Sequence, residues 1–221
     1  MNSFTEENYI KAIYHLSDDG KQAVSTNSIA EQSNTKASSV TDMLKKLAEK
    51  DLINYVKYQG VTLTAKGRRV AIDIIRKHRL WEVFLVDKLQ FKWDEVHNIA
   101  EELEHIKSDV LVDRLDEFLG FPKSDPHGDP IPDRNGKFHS KELLQVSKMQ
   151  TGESGIISGV NEHSPKFLQY LERTGLVLGN KIVVQEVIEF DGSVILSLQS
   201  KELTISREAA KNILILPHET H

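Results

Sequence analysis

The sequence predicts an α+β fold in three segments, and three observations predict it. Two short helical patterns parted by a tight turn precede an alternating hairpin within residues 1–64. A long amphipathic helix and two further helical runs fill 65–140, and short β patterns dominate 145–221.

Composition narrows the chemistry before any motif is read. A chain of 221 residues with 39% hydrophobic content is long enough for one large domain or a few small ones. No apolar run approaches the roughly 20 residues that a membrane helix needs. The start, MNSFTEENYI, has neither a basic leader nor an apolar core, so a cytoplasmic protein with no membrane partner is expected. The absence of cysteine removes disulfides, thiolate catalysis and cysteine zinc sites, leaving oxygen and imidazole as the strong metal ligands. A net charge of −5 does not advertise nucleic-acid binding, but the local charge of one face decides that.

In the first segment Thr5 is the expected N-cap of a helix through Tyr9, Ile10, Ile13 and Leu16, with Asn8 near its exposed start and Asp18-Asp19-Gly20 ending it. Ser25 opens the short helix TNSIAEQS, and after Asn34-Thr35 a second helix runs from near Lys36 to Lys50. Val40, Leu44 and Leu47 share one face of it, so Ser38, Thr41, Asp42, Lys45 and Lys46 point outward, as in a recognition helix. INYVKYQGVTLT alternates around Gly60 as a wing would, and Tyr58 near its tip is placed to lie along a nucleic-acid backbone or minor groove. Lys36, Lys45, Lys46 and Lys57, with Lys66, Arg68 and Arg69 just beyond the hairpin, make this part of the chain locally basic. A plain trihelical domain without DNA stays open as the alternative.

From Thr64 a long helix toward Leu89 carries more apolar surface than one small domain needs, which suits an interface between two copies. Val96 to Ser108, VHNIAEELEHIKS, reads as one helix. Val96, Ile99, Ala100, Leu103, Ile106 and Val110 fall on its packing side, and His97, Glu101, Glu104, His105 and Ser108 on the other. Two carboxylates three positions apart repel unless a cation lies between them, and the adjacent imidazole adds a neutral nitrogen donor. A divalent metal satisfies all three, while a solvated acidic face is the alternative. An inverted zinc-protease motif is excluded, because Glu101 stands where that motif needs its first histidine. His78 and Glu82 stand one turn apart on the preceding helix, where a salt bridge or cap is the alternative to ligation.

GFPKSDPHGDPIPDRNG reads as an ordered loop whose Asp125 and His127 are within reach of a metal, although loop histidines are more often surface residues. Beyond it come the strands GESGIISGV, KIVVQEVIEF and SVILSLQS, a helix capped by Ser164-Pro165, a last helix at Arg207 to Asn212 and a closing ILIL strand. Together they predict a small β-barrel with no recognisable catalytic constellation.

ENYIKAIYHL, SSVTDMLKKLAEKDLI, YQGVTLTAKG, RKHRLWE, VHNIAEELEH and DPHGDPIP, in this order, resemble the diphtheria toxin repressor and manganese transport regulator family of metal-activated bacterial repressors. The resemblance implies a winged helix-turn-helix over 1–64, an all-α dimerisation domain over 65–140 and an SH3-like, ferrous-transport-type barrel over 145–221. It implies a homodimer on double-stranded operator DNA, loaded with Mn2+ or Fe2+, controlling metal-homeostasis genes; Zn2+ or Co2+ would bind in vitro. Carried over residue by residue, the primary metal site is Asn8, Glu101, Glu104 and His105. The ancillary site is His78, Glu82 and His97, with Asp125, His127 and either Glu162 or His163 as further candidates. The DNA-contacting set is Thr26, Lys36, Ser38, Ser39, Thr41, Asp42, Lys45, Lys46 and Tyr58.

Several positions depart from the family. Asn8 replaces an aspartate or methionine, and Lys11 replaces the second acid of the short manganese regulators, which argues for two separated sites over a binuclear one. Ser38 and Asp42 differ from the iron branch, so the operator does not carry over. Two rivals are a winged-helix regulator of an organic ligand and a metal-dependent hydrolase. The second needs an open coordination position and a spare base, whereas every acid here is claimed as a ligand, so no enzyme and no small-molecule substrate are expected.

Overall fold

The computed structural model describes residues 2–20, 22–56, 59–139, 141–199 and 201–218. The chain divides between two units, one of Met1–His78, Glu101–Val112 and Pro132–Lys137, the other of Arg79–Ala100, Asp113–Ile131 and Phe138–His221.

In the first unit, α1 (Phe4–Leu16) starts one residue after Ser3, not at Thr5. Ser3 Oγ accepts from the Glu6 N–H at 3.3 Å and Glu6 Oε2 accepts from the Ser3 N–H at 2.8 Å, so two orphan donors of the first turn are satisfied reciprocally. Its buried face is Tyr9, Ile10, Ile13 and Tyr14. Ser25 caps α2 (Thr26–Gln32) as expected, and α3 (Ala37–Glu49) buries Val40, Leu44 and Leu47. The hairpin follows, β1 (Ile53–Val56) pairing antiparallel with β2 (Gly60–Leu63) from Ile53↔Leu63 to Val56↔Gly60. Val24 bridges to Val61, which ties the wing to the segment before α2.

α4 (Ala65–Asp87) runs through both units. The helix expected over Val96–Ser108 is shorter, because α5 (His97–Leu103) stops at Leu103. The Ile106 N–H turns back onto Leu103 O at 3.2 Å, and Ser108 Oγ accepts from the Leu111 N–H at 3.3 Å to open α6 (Asp109–Phe118). Glu104 and His105 therefore sit in a turn, and both are buried. Val110, assigned to the packing side, is exposed.

The second unit contains a six-stranded antiparallel sheet built from β3 (Leu144–Gln145), β4 (Ser154–Val160), β5 (Lys181–Val187), β6 (Val194–Leu198), β7 (Lys201–Ile205) and β8 (Ile213–Pro217). Their order in the sheet is β3-β8-β4-β5-β6-β7. α7 (Pro165–Thr174) has proline at its first position and left-handed Gly175 at its end, and α8 (Arg207–Asn212) is capped by Ser206. Ile157, Leu168, Leu171, Val184, Leu196 and Ile215 fill the core, joined by Trp93 from the segment before α5. Full burial of each such aliphatic side chain stabilises the fold by about 1.5–3 kcal/mol. β3 and β7 were not anticipated: the first has two residues, and KELTI carries its charges at the exposed end of a hairpin. Among the described residues no helix is long and apolar enough to cross a membrane.

Candidate metal centres and nucleic-acid interface

The first centre lies within the first unit and is built on Glu104, whose side chain is 0% exposed. A buried carboxylate is costly unless charge and hydrogen bonds surround it. His78 Nδ1 of α4 stands 2.7 Å from Glu104 Oε2. The Lys11 ammonium of α1 is 2.7 Å from both carboxylate oxygens but is aligned for hydrogen bonding only with Oε2, and Oε1 keeps no hydrogen-bond partner. Lys11 also reaches Glu101 Oε1 at 3.4 Å.

His105 turns toward the same place, its Nε2 3.8 Å from Glu104 Oε1 and its Nδ1 2.7 Å from Glu7 Oε2, with Phe4 stacked on the ring at 4.6 Å. Burial pushes the Glu104 carboxyl up, but the His78 hydrogen bond and the Lys11 charge outweigh it and hold the group below the usual carboxylate range. A buried carboxylate whose Oε1 meets a cation without a hydrogen bond, set among imidazoles and further carboxylates, is a donor set that a hard or borderline divalent cation fits.

One expectation shifts here. Asn8 is exposed, and its neighbour Glu7 is the α1 acid that meets His105. His78, expected in the ancillary set, also places its Nδ1 on Glu104. Glu7 had a signal in the sequence: it stands one helical turn before Lys11, on the same stripe of α1.

A second group lies within the other unit. Glu82, Asp125 and His127, all buried, each offer one ligand atom within 4.8 Å of the others. His127 Nδ1 is 3.6 Å and His97 Nδ1 is 3.5 Å from the Glu82 carboxylate. The loop histidine, expected more often at a surface, is 2% exposed. Its place follows from local geometry: Asp125 Oδ1 accepts from the His127 N–H at 2.8 Å and the Asp129 N–H at 3.0 Å, an Asx turn that Ser124 and Pro130 close as a bridge.

His127 O then accepts from the Val160 N–H of β4 at 3.0 Å. His127 Nε2 lies 2.8 Å from the Trp93 carbonyl, which can only accept, so Nε2 carries a proton; Nδ1 turns to Glu82, donating to that carboxylate when the ring is charged and offering its lone pair to an ion when the ring is neutral. His163 stacks on His127 at 4.9 Å and stands 4.0 Å from Asp129 Oδ2. Glu162 instead accepts from the Ser164 N–H at 2.8 Å, at the start of α7.

Burial raises Asp125 to about 7, with the Asp129 and Glu82 charges adding to it and Arg79 and His127 opposing. Burial pulls His127 down, but the hydrogen bond and charge of Glu82 bring it above the ordinary histidine value. His163 is lowered, chiefly by burial. A raised carboxyl means that the native state holds the proton longer than the unfolded chain, so this group's contribution to stability is lost as pH rises toward 7. Asp125→Asn keeps the Oδ1 acceptor and removes the buried charge. In chelator it is expected to be more stable than the parent by about 1–3 kcal/mol at pH 8, converging at pH 4, as measured by urea unfolding across pH.

On α3 and its approach, Lys36, Ser38, Ser39, Asp42, Lys45 and Lys46 are exposed, while Thr26 and Thr41 are half-buried. Thr41 Oγ1 donates to Ala37 O at 2.9 Å and Lys45 pairs with Asp42 at 3.2 Å, so the outward stripe of α3 is polar and partly self-paired. Tyr58 and Lys57, placed at the wing tip by the pattern, lie outside the described residues.

Comparison with known proteins finds family matches along most of the chain. Residues 2–61 match the model of the iron dependent repressor N-terminal DNA binding domain. Residues 64–133 match the iron dependent repressor metal binding and dimerisation domain, and residues 144–217 match the FeoA domain. A solved manganese-dependent transcriptional repressor in complex with manganese is 35% identical, with a TM-score of 0.85 over 96% of this chain and 100% of that one. The manganese regulator SloR is 34% identical, with a TM-score of 0.74 over 96% and 98% of the two chains. The iron-dependent repressor IdeR of Mycobacterium leprae is 27% identical over 224 residues, covering 96% of both. Matched by three family models in order and covering such repressors from end to end, the chain belongs to the family of metal-dependent transcriptional repressors.

Proposed function

We propose that this repressor is a homodimer whose grip on double-stranded operator DNA is switched by Mn2+ or Fe2+ at the centre around Glu104. The observation that supports this most is the fully buried Glu104 carboxylate with one oxygen lacking a hydrogen bond, facing donors from α1, α4 and the turn after α5. Glu101, Glu104, His105 and His78 would hold the ion, with α1 contributing through Glu7 and Asn8. Glu82, Asp125, His127 and His97 would form the second site, with His163 beside it. When bound, the ion supplies positive charge that lets these acids share one place.

The consequence is mechanical. α1 packs beside α2 and carries Glu7 to His105, so tightening this seam restrains the helix-turn-helix that precedes the wing. Over residues 1–64 the reading surface is α3, through Lys36, Ser38, Ser39, Thr41, Asp42, Lys45 and Lys46, with Thr26 and, by the sequence pattern, Tyr58 as further contacts. Residues 65–140 would pair the two copies, and 145–221 would form the accessory barrel. Two reading heads held at a fixed spacing meet successive major grooves, whereas loosely held heads seldom do. The chain acts by binding, in the cytoplasm with its DNA, and catalyses no reaction.

The test is selection of random duplexes by the full chain in Mn2+ and in chelator, followed by affinity measurement on the enriched duplex. Selection and tight binding only with Mn2+ or Fe2+ are expected, and equal binding in chelator would overturn the metal switch. On the same duplex Lys45→Ala with Lys46→Ala is expected to lower the slope of log affinity against log salt by about 2 units, since each removes one phosphate contact.

A further inference from the structure

We infer that Lys11 is a tethered cation that occupies the place of the metal's charge in the first centre and must be displaced for the metal to bind. This rests on the proposal that Glu101 and Glu104 are ligands. The Lys11 side chain is only 14% exposed, and its ammonium stands between the two carboxylates, 2.7 Å from Glu104 and 3.4 Å from Glu101. Glu101 is 49% exposed and can be served by water, but Glu104 is 0% exposed and depends on protein donors.

Lysine suits this role better than arginine, since a compact ammonium on a flexible stem can sit between two carboxylates and swing out. Glu7, one turn earlier on α1, is engaged with His105, so two contacts from one helix already dock it on the turn after α5.

A divalent ion taking the same oxygens therefore exchanges one cation for another. The metal's apparent affinity is reduced by the fraction of time the ammonium is out. A charged hydrogen bond to a buried partner makes that fraction small, so Lys11 weakens metal binding by about ten- to a hundredfold. Singly charged ions gain nothing by the exchange. Lys11 thus sets the metal concentration at which the repressor responds.

The experiment compares the full chain with Lys11→Met, which keeps the apolar stem, and Lys11→Gln, which keeps a hydrogen bond without charge. Lys211→Met on α8 of the other unit is the charge control. Calorimetric titration with Mn2+ and thermal unfolding in chelator are read together. Both Lys11 variants are expected to bind Mn2+ at least about tenfold more tightly, to melt at a lower temperature than the parent in chelator, and to regain the difference in saturating Mn2+; Lys211→Met should match the parent. A variant that folds only when Mn2+ is present supports the inference equally. Unchanged or weakened Mn2+ affinity in both variants would overturn it while leaving the metal reading intact, and no Mn2+ uptake by the parent chain would overturn both.

Discussion

Glu104→Gln is expected to raise the Mn2+ concentration needed for half-maximal operator binding by about 100-fold or more, because in the proposed centre it removes a buried charged ligand and not merely a supporting contact. The isosteric amide keeps the shape of the site but presents an N–H2 group to the Lys11 ammonium and to His78, both 2.7 Å away. Breaking a buried ion pair on one side costs about 3–5 kcal/mol, so the variant should also melt earlier in chelator.

Glu101→Gln is the informative partner. Its carboxylate is half exposed and its contact to Lys11 is 3.4 Å, so its loss should weaken metal binding less and leave stability in chelator nearly unchanged. Removing both carboxylates with alanine should abolish metal-dependent operator binding. Metal titrations of operator affinity, with melting curves alongside, check all three. If the double variant takes up Mn2+ and holds DNA as the parent does, the centre around Glu104 is not the switch.

Gly128→Ala is expected to disable the proposed second site and destabilise the unit that carries it by about 3 kcal/mol or more. Gly128 has φ +91°, and a Cβ there would stand 2.2 Å from Ser158 O and 2.4 Å from the Gly159 Cα, both backbone atoms of β4. No rotamer relieves such a clash, so the loop must lift from the strand. Lifting it breaks the bond from the Val160 N–H to His127 O and carries Asp125 and His127 away from Glu82. The expected result is loss of one class of Mn2+ sites by calorimetry with the Glu104 class retained, and an earlier melting transition. Retention of both classes at parental stability would show that the close approach of loop and strand does not hold the second site together.

Much of the fold was legible because local patterns report local structure. Ser25, the Val40-Leu44-Leu47 stripe, the alternation around Gly60 and the Ser164-Pro165 start each concern residues within a few positions of one another, and each element formed where the pattern placed it. The end of α5 was misplaced because the amphipathic stripe continues through Glu104 and His105 while the chain does not. Ser108 caps the next helix, and Glu104 and His105 find partners remote in the sequence. Ser3 caps α1 in place of Thr5, and Glu6, three residues on, completes the reciprocal pair, a signal that the sequence contains.

Residue chemistry, by contrast, was only half visible. A chain without cysteine whose acids and histidines recur at helical spacing already determined an oxygen-and-imidazole donor set. Only the tertiary structure decided that Glu7 and not Asn8 faces His105, that His78 joins Glu104, that His127 is buried against Trp93 O, and that Lys11 stands between Glu101 and Glu104. The reason is distance along the chain: Lys11 and Glu104 are 93 positions apart and Glu7 and His105 are 98 apart. Periodicity reports which face of an element turns inward, whereas the groups that meet there are chosen by how separate elements pack.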